Sequence, residues 1–315
     1  MTLPDRDAAA AGPAGVRRDG PLLATFLVAA PDGPGLVARL ASFFYNADLN
    51  IVDASNHTDV WADPGPRFFM RLVVDLDGLT SHAAVTAFGG SATRSSLEAS
   101  FATLCDTLSA EWSVRYSDAI PRVAILVTKD SACLYDLVLR QRAGEIVCEI
   151  PLVISNHPTL EPVAESFRIP FFCFPVTPSA KPEQERQVLD TVKRHHIDLV
   201  VLARYMQILS EDFLTHAPPV INIHHGFLPA FQGARPYHQA HARGVKLVGA
   251  TAHYATCELD QGPIIEQDVA RVNHTMGPDD MARLGRDVER AVLSRAVRAH
   301  LERRVIVEGR RTVVL

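Results

Sequence analysis

The chain has 315 residues, 47% hydrophobic and 21% charged, with 31 Lys+Arg against 36 Asp+Glu for a formal charge of −5. That length suits two domains with buried cores, and the even spread of both charges excludes a nucleic-acid binder driven by phosphate neutralisation. No apolar run approaches the roughly 20 residues of a membrane helix, and the first twenty residues lack the apolar segment of a secretory signal. The 5 cysteines are scattered and never in C-x-x-C spacing, so reduced thiols in a cytoplasmic protein are expected, not disulfides or structural zinc.

Residues 1–20 are Ala/Gly/Pro-rich without periodicity and read as a disordered tail. From Leu22 to Ala29 an apolar run has the length of a strand, and Pro31-Asp32-Gly33-Pro34-Gly35 reads as a turn. Leu36, Leu40, Phe43 and Phe44 recur at helical spacing. Asn50-Ile51-Val52 begins a second strand and Arg67–Val74 a third, joined through a loop at Trp61–Pro66. The small and polar stretch 78–96 reads as an extended loop. Leu97, Phe101, Leu104 and Leu108 then resume helical periodicity, and Trp112–Tyr116 closes the sheet. The order β-α-β-β-α-β predicts a ferredoxin-like domain over residues 21–118.

Beyond Pro121 short apolar strands alternate with helices, which predicts an α/β domain over 119–315 with a doubly wound, mainly parallel sheet. Strands are expected at 123–128, 151–155, 170–174, 198–203, 220–223, 249–254 and 264–268. Helices are expected after the first of these, at 158–167, at 182–196 and from Pro278 to about Leu301, where Pro suits the first turn.

Ligands of such sheets bind beyond the carboxyl ends of strands. Asn222-Ile223-His224-His225 lies at one such end, and period two sends Asn222 and His224 to the same side. An amide N–H can donate to an oxygen gaining charge, and a neutral imidazole can move a proton. His253-Tyr254 ends a second strand, and Asp260 follows on a loop constrained by Gly262-Pro263, where a carboxylate can fix an imidazole tautomer. Each residue alone is equally consistent with a structural role. The pairs His224/His225 and His238/His241 lack an accompanying ligand set, so no metal site is expected.

Together these residues resemble the folate-dependent formyltransferase family: Asn222-x-His224 with Phe227-Leu228-Pro229, and Leu259-Asp260-x-Gly262-Pro263-Ile264-Ile265. The resemblance implies that Asn222, His224 and Asp260 form a catalytic trio. It also implies that Met206, Gln207, Ile208 and Leu209 run along the folate pocket, with His253, Tyr254 and Gly262 beside it. Phe231–Ala240 and Gly285–Glu289 are similar to the hydrolytic branch of the family, which carries an amino-terminal ACT domain. Pro31-Asp32-x-Pro34-Gly35-Leu36 and Leu49-Asn50-Ile51-Val52 resemble that domain, implying an amino-acid effector site at Asp32, Gly35 and Asn50, responsive to methionine and glycine, in a homo-oligomer. A purely structural dimerisation domain is the equal alternative.

The implied activity is hydrolysis of 10-formyltetrahydrofolate to tetrahydrofolate and formate, in one-carbon and purine metabolism, with the folate as substrate and no cofactor. Gly226 stands where the family often has Ser, and Gln207 where Arg is usual. His225 replaces a Pro common in the transferases, either to position water or to pack the loop. Transferases taking a phosphorylated amine have a Gly/Ser-rich turn after their first strand; here Thr128-Lys129-Asp130-Ser131 has no glycine and carries a carboxylate. Lys129 alone is the weaker phosphate reading. The alternatives are a formyltransferase to an amine acceptor and a non-catalytic folate or amino-acid sensor.

Overall fold

The computed structural model describes residues 20–177, 179–230 and 235–315. The expected tail lies outside them apart from Gly20, as does Phe231–Ala234 of the family-like segment.

Two sheets organise the chain. The first takes β1 (Leu23–Pro31), α1 (Leu36–Asn46), β2 (Ile51–Asp59), β3 (Arg67–Asp75), α2 (His82–Ala87), α3 (Arg94–Leu108) and β4 (Glu111–Tyr116). Its strands lie in the order β2-β3-β1-β4 with every neighbour antiparallel, the ferredoxin-like arrangement. One face packs on the helices through Phe26, Phe44 and Phe101, whose rings lie 4.7–5.6 Å apart. The stretch 78–96 is not an extended loop. A 3₁₀ turn at Asp77–Thr80 leads into α2, capped by the Ser81 hydroxyl accepting from Ala84 N–H at 3.1 Å, and α3 starts behind a Thr93/Ser96 capping box. A six-residue helix bearing a single fully buried residue, Ala84, is too short to show a periodic apolar stripe, although its cap residues were readable.

The second sheet takes β5 (Arg122–Val127), α4 (Ala132–Arg142), β6 (Glu149–Ser155), α5 (Glu161–Ser166), β7 (Phe171–Cys173), α6 (Lys181–Arg194), β8 (Leu199–Leu202), α7 (Glu211–His216), β9 (Val220–His224), α8 (Pro236–Ala242), β10 (Leu247–Tyr254), β11 (Ile264–Arg271) and α9 (Pro278–Leu301). The order is β11-β10-β9-β8-β5-β6-β7. Strands β9 to β7 in this order are parallel, and β10 and β11 are antiparallel, so the expected mainly parallel α/β sheet is present. The chain winds outward from β5 to β7 and then returns to β8 on the other side of β5, which leaves a crevice at the carboxyl ends of β5, β8 and β9.

A hairpin follows that the sequence reading did not assign: β12 (Val305–Glu308) and β13 (Arg311–Val314), turning at Gly309 with φ +58°. With the end of α9 it covers the second face of the first sheet. Arg71 donates to the Glu302 carbonyl, Arg67 to the Glu308 carboxylate at 3.0 Å, and Arg311 pairs with Asp59 at 2.8 Å.

Candidate active site

Strand β9 alternates in burial partners. Ile221 and Ile223 belong to the core beneath α4 and α9, so Asn222 and His224 face the opposite side. There they line a cavity of about 570 Å³ together with the segment after β8, the start of α8 and Asp260 from the β10–β11 loop.

The antiparallel β10 completes the site. Its register sets His253 directly opposite Asn222, and the Asn222 amide nitrogen lies 3.2 Å from His253 Nε2. His253 Nδ1 sits 2.9 Å from the Tyr254 carbonyl, so it carries the proton, and Nε2 accepts from Asn222. Burial pushes the His253 pKa down and holds this neutral form. One amide hydrogen of Asn222 is therefore anchored and the other can meet a developing oxyanion.

Asp260 adopts a left-handed backbone, φ 57°, on a loop whose ends are tied by the Tyr254 N–H to Pro263 carbonyl bond at 3.0 Å. Its Oδ2 lies 3.3 Å from His224 Nδ1, and its Oδ1 3.8 Å from His253 Nε2. Both imidazoles and this carboxylate are buried, at 4%, 2% and 9% exposure. Nε2 of His224 is thus the ring nitrogen turned from the carboxylate, as a general base oriented by Asp260 requires.

The structure brings most of the expected residues together. Asn222, His224, His225, His253, Asp260, Met206, Gln207, Ile208 and Leu209 all line the cavity. Met206 and Ile208 are more than half exposed and give its mouth an apolar wall. Two expected residues do not line it. Tyr254 turns away, its hydroxyl 2.7 Å from His300 Nδ1. Gly262 is pressed on the backbone: a Cβ there would lie 1.7 Å from the Tyr254 carbonyl oxygen, so glycine is required for packing of the Asp260 loop. His225 is pushed to about 3 by burial, with Arg204 and His224 adding to the effect, so it stays neutral. Its ring packs 5.4 Å from that of His224 and 6.1 Å from that of Tyr237.

The expected effector residues separate. Asp32 N–H donates to Pro66 at one end of the first sheet, and the Asn50 carbonyl accepts from Asp75 at the other. Eight strand residues put about 27 Å between the two ends. Gly35, with φ +84° before α1, stays with Asp32.

One group escaped the sequence reading of roles. Glu289 of α9 is buried at 1% exposure, accepts from the Tyr237 hydroxyl at 2.8 Å and lies 3.2 Å from Arg204 Nη1. Burial raises its pKa while Arg204 and the Tyr237 hydrogen bond oppose the rise. Arg204 and Tyr237 both line the cavity, so this trio braces its wall. The available signal was a carboxylate on the apolar stripe Gly285, Glu289, Val292, Ala296 of α9.

At the start of α4 the Asp130 carboxylate accepts from Ala132 N–H at 3.0 Å and lies 3.8 Å from Arg204. The chain's own carboxylate thereby occupies the helix terminus that could otherwise cradle a phosphate.

Residues 121–297 match the formyl transferase family. The chain is 50% identical over 293 residues to a formyltetrahydrofolate deformylase of Synechocystis sp., covering 93% of this chain and 98% of that protein. It is 42% identical over 290 residues to a formyltetrahydrofolate deformylase of Bacillus subtilis, covering 91% and 92%. The crystal structure of a formyltetrahydrofolate deformylase from Pseudomonas syringae superposes with a TM-score of 0.86 at 42% identity, over 95% of this chain and 96% of that one.

Proposed function

The chain belongs to the formyltetrahydrofolate deformylase family and hydrolyses 10-formyltetrahydrofolate to tetrahydrofolate and formate; we propose that it does so through Asn222, His224 and Asp260 acting on one carbonyl. The observation that carries this reading is their convergence on a single cavity, with Asp260 Oδ2 3.3 Å from His224 Nδ1. His224 takes a proton from water as the oxygen attacks the formyl carbon. Asn222, held by His253, donates its second amide hydrogen to the oxyanion, and Asp260 stabilises the imidazolium. His224 then returns the proton to N10, the C–N bond breaks, and formate leaves with its remaining proton passing to solvent. Side chains and water suffice for these steps, without a cofactor. Met206, Gln207, Ile208 and Leu209 serve as the wall for the folate. Neutral His225, 5.4 Å ring to ring from His224, helps position the water.

Asp130 on the α4 terminus favours water over a phosphorylated amine as acceptor. The discriminating assay incubates the protein with 10-formyltetrahydrofolate alone. Release of tetrahydrofolate and formate together supports hydrolysis. Dependence on an added amine would assign a transferase instead, and absence of both products a sensor.

The reading further takes 21–118 as an ACT-type regulatory domain and 119–315 as the catalytic one, in a cytoplasmic homo-oligomer. An effector such as methionine or glycine would bind at Asp32 and Gly35, with its other walls from a partner subunit, since Asn50 sits at the far end of the same sheet. Equilibrium dialysis against both amino acids tests this; no binding at millimolar ligand defeats it.

A further inference from the structure

Where the first sheet meets the carboxyl end of α9, the chain encloses a second cavity of about 270 Å³. Its walls gather Arg71 from β3, Arg115 from β4, Arg298 from α9 and Arg303 just beyond, against the carboxylate of Glu302. The chain neutralises two of these cations. Arg71 pairs with Asp53 at 2.5 Å, and Arg298 with Glu302 at 2.7 Å. The other two differ. Arg115 Nη1 and Arg303 Nε are buried with no acceptor among the described residues. Arg303 does donate from another nitrogen to the Ser113 hydroxyl, but a neutral hydroxyl leaves its charge unbalanced.

The two guanidiniums also act on each other. Burial and the Arg115 charge push the Arg303 pKa down. Burial, Arg115 and Arg303 together push His300 to about 4. Buried like charges with orphaned donors are strongly unfavourable unless a counter-charge joins them. An oxyanion fits this need in shape as well as sign, because guanidinium forks match carboxylate and phosphate oxygens. Thr25 and Ser117 also line the cavity, the Ser117 hydroxyl accepting from Leu23 N–H at 2.9 Å.

We propose that this cavity is an oxyanion site, in which a small carboxylate or phosphate bridges Arg115 and Arg303 and so ties the first sheet to the end of α9. None of the groups assigned to the reaction lines it. It lies behind them: His300 meets the Tyr254 hydroxyl at 2.7 Å, and the Tyr254 carbonyl holds His253 at 2.9 Å.

The test is thermal unfolding of the full chain at fixed pH, titrated with sodium formate, sodium acetate or sodium phosphate, each against sodium chloride at equal ionic strength. A saturable rise in midpoint is expected from at least one oxyanion, since a ligand of the native state alone stabilises by mass action. The carboxylate and phosphate arms identify which chemistry the site takes. Arg115→Gln removes one of two repelling charges, so it is expected to unfold in chloride no earlier than the parent and to lose the oxyanion response. Ser117→Asp plants a carboxylate in the cavity and is likewise expected to lose the response. Oxyanion rises of parental size in either variant, or no rise above chloride in the parent with any of the three salts, would overturn the proposal.

Discussion

His300 allows a stability prediction with its sign and size worked out. It sits on α9 with Nδ1 2.7 Å from the Tyr254 hydroxyl of β10, and it is faced by Arg115 of β4 and by Arg303. Burial, then Arg115, then Arg303 push its pKa from 6.5 to about 4. The folded-state value therefore lies below the unfolded one, so the unfolded chain takes up a proton that the native state refuses. Stability from this residue is complete above the unfolded value, and it is lost as pH falls from 6.5 towards 4. Linkage gives a loss of about 2 kcal/mol by about pH 5, of which about 0.2 is already lost at about pH 7, so the change between them is about 1.8 kcal/mol. His300→Gln cannot take up that proton. Urea unfolding followed by tryptophan fluorescence, at both pH values, is expected to show a drop in the parent larger by about that amount than in the variant. His225 and His253, whose pKa values also lie low, add to the drop in both proteins and cancel in the difference. Equal drops in parent and variant would refute the reasoning.

Four further outcomes follow from the site. Asn222→Ala is expected to lower kcat by about 10²–10³ through loss of an oxyanion donor, and His224→Ala by about 10²–10⁴ through loss of the general base; formate release by purified, folded protein checks both. Gly285→Ala would set a Cβ 1.9 Å from the Tyr237 hydroxyl oxygen, driving that ring off Glu289. Leaving the buried carboxylate short of its donor is expected to cost about 1–3 kcal/mol in urea unfolding. Gly262→Ala meets a backbone oxygen that cannot swing aside, so lower thermal stability accompanied by reduced kcat is expected, not a raised KM alone.

Legibility in the sequence followed the range of the interaction involved. Asn222 and His224 were readable because strand periodicity is local: two residues apart on β9 means the same side. The α/β class was readable for the same reason, from short apolar strands alternating with helices. The Asn222–His253 contact was not. It depends on β10 pairing antiparallel to β9 in one register, and thirty-one residues of chain separate the partners. Tyr254 was expected at the cavity as the neighbour of His253, yet adjacent strand residues face opposite ways, and the pairing that buries His253 against Asn222 turns Tyr254 to His300. Gly262 shows a second limit, since sequence marks a glycine without saying whether a ligand or a backbone needs the space. Helix α2 and the β12–β13 hairpin were missed because elements of four to six residues carry too few apolar positions for a period to register.

The reversal of strand direction at β10 does more than complete the sheet. A parallel strand beside β9 would reach its carboxyl end in step with Asn222 and His224 and then leave by a crossover. An antiparallel one arrives from the crevice end, lays His253 against Asn222 near its own far end, and turns only afterwards, so Asp260 must come back along the loop to meet His224. That return is held by the Tyr254–Pro263 backbone bond and by the close packing of Gly262 on Tyr254. Both hold at Tyr254, whose carbonyl also sets the His253 tautomer and whose hydroxyl meets His300. A displacement of this one residue therefore moves the amide's anchor and the carboxylate's loop together, and the pair is expected to be lost or kept as a unit.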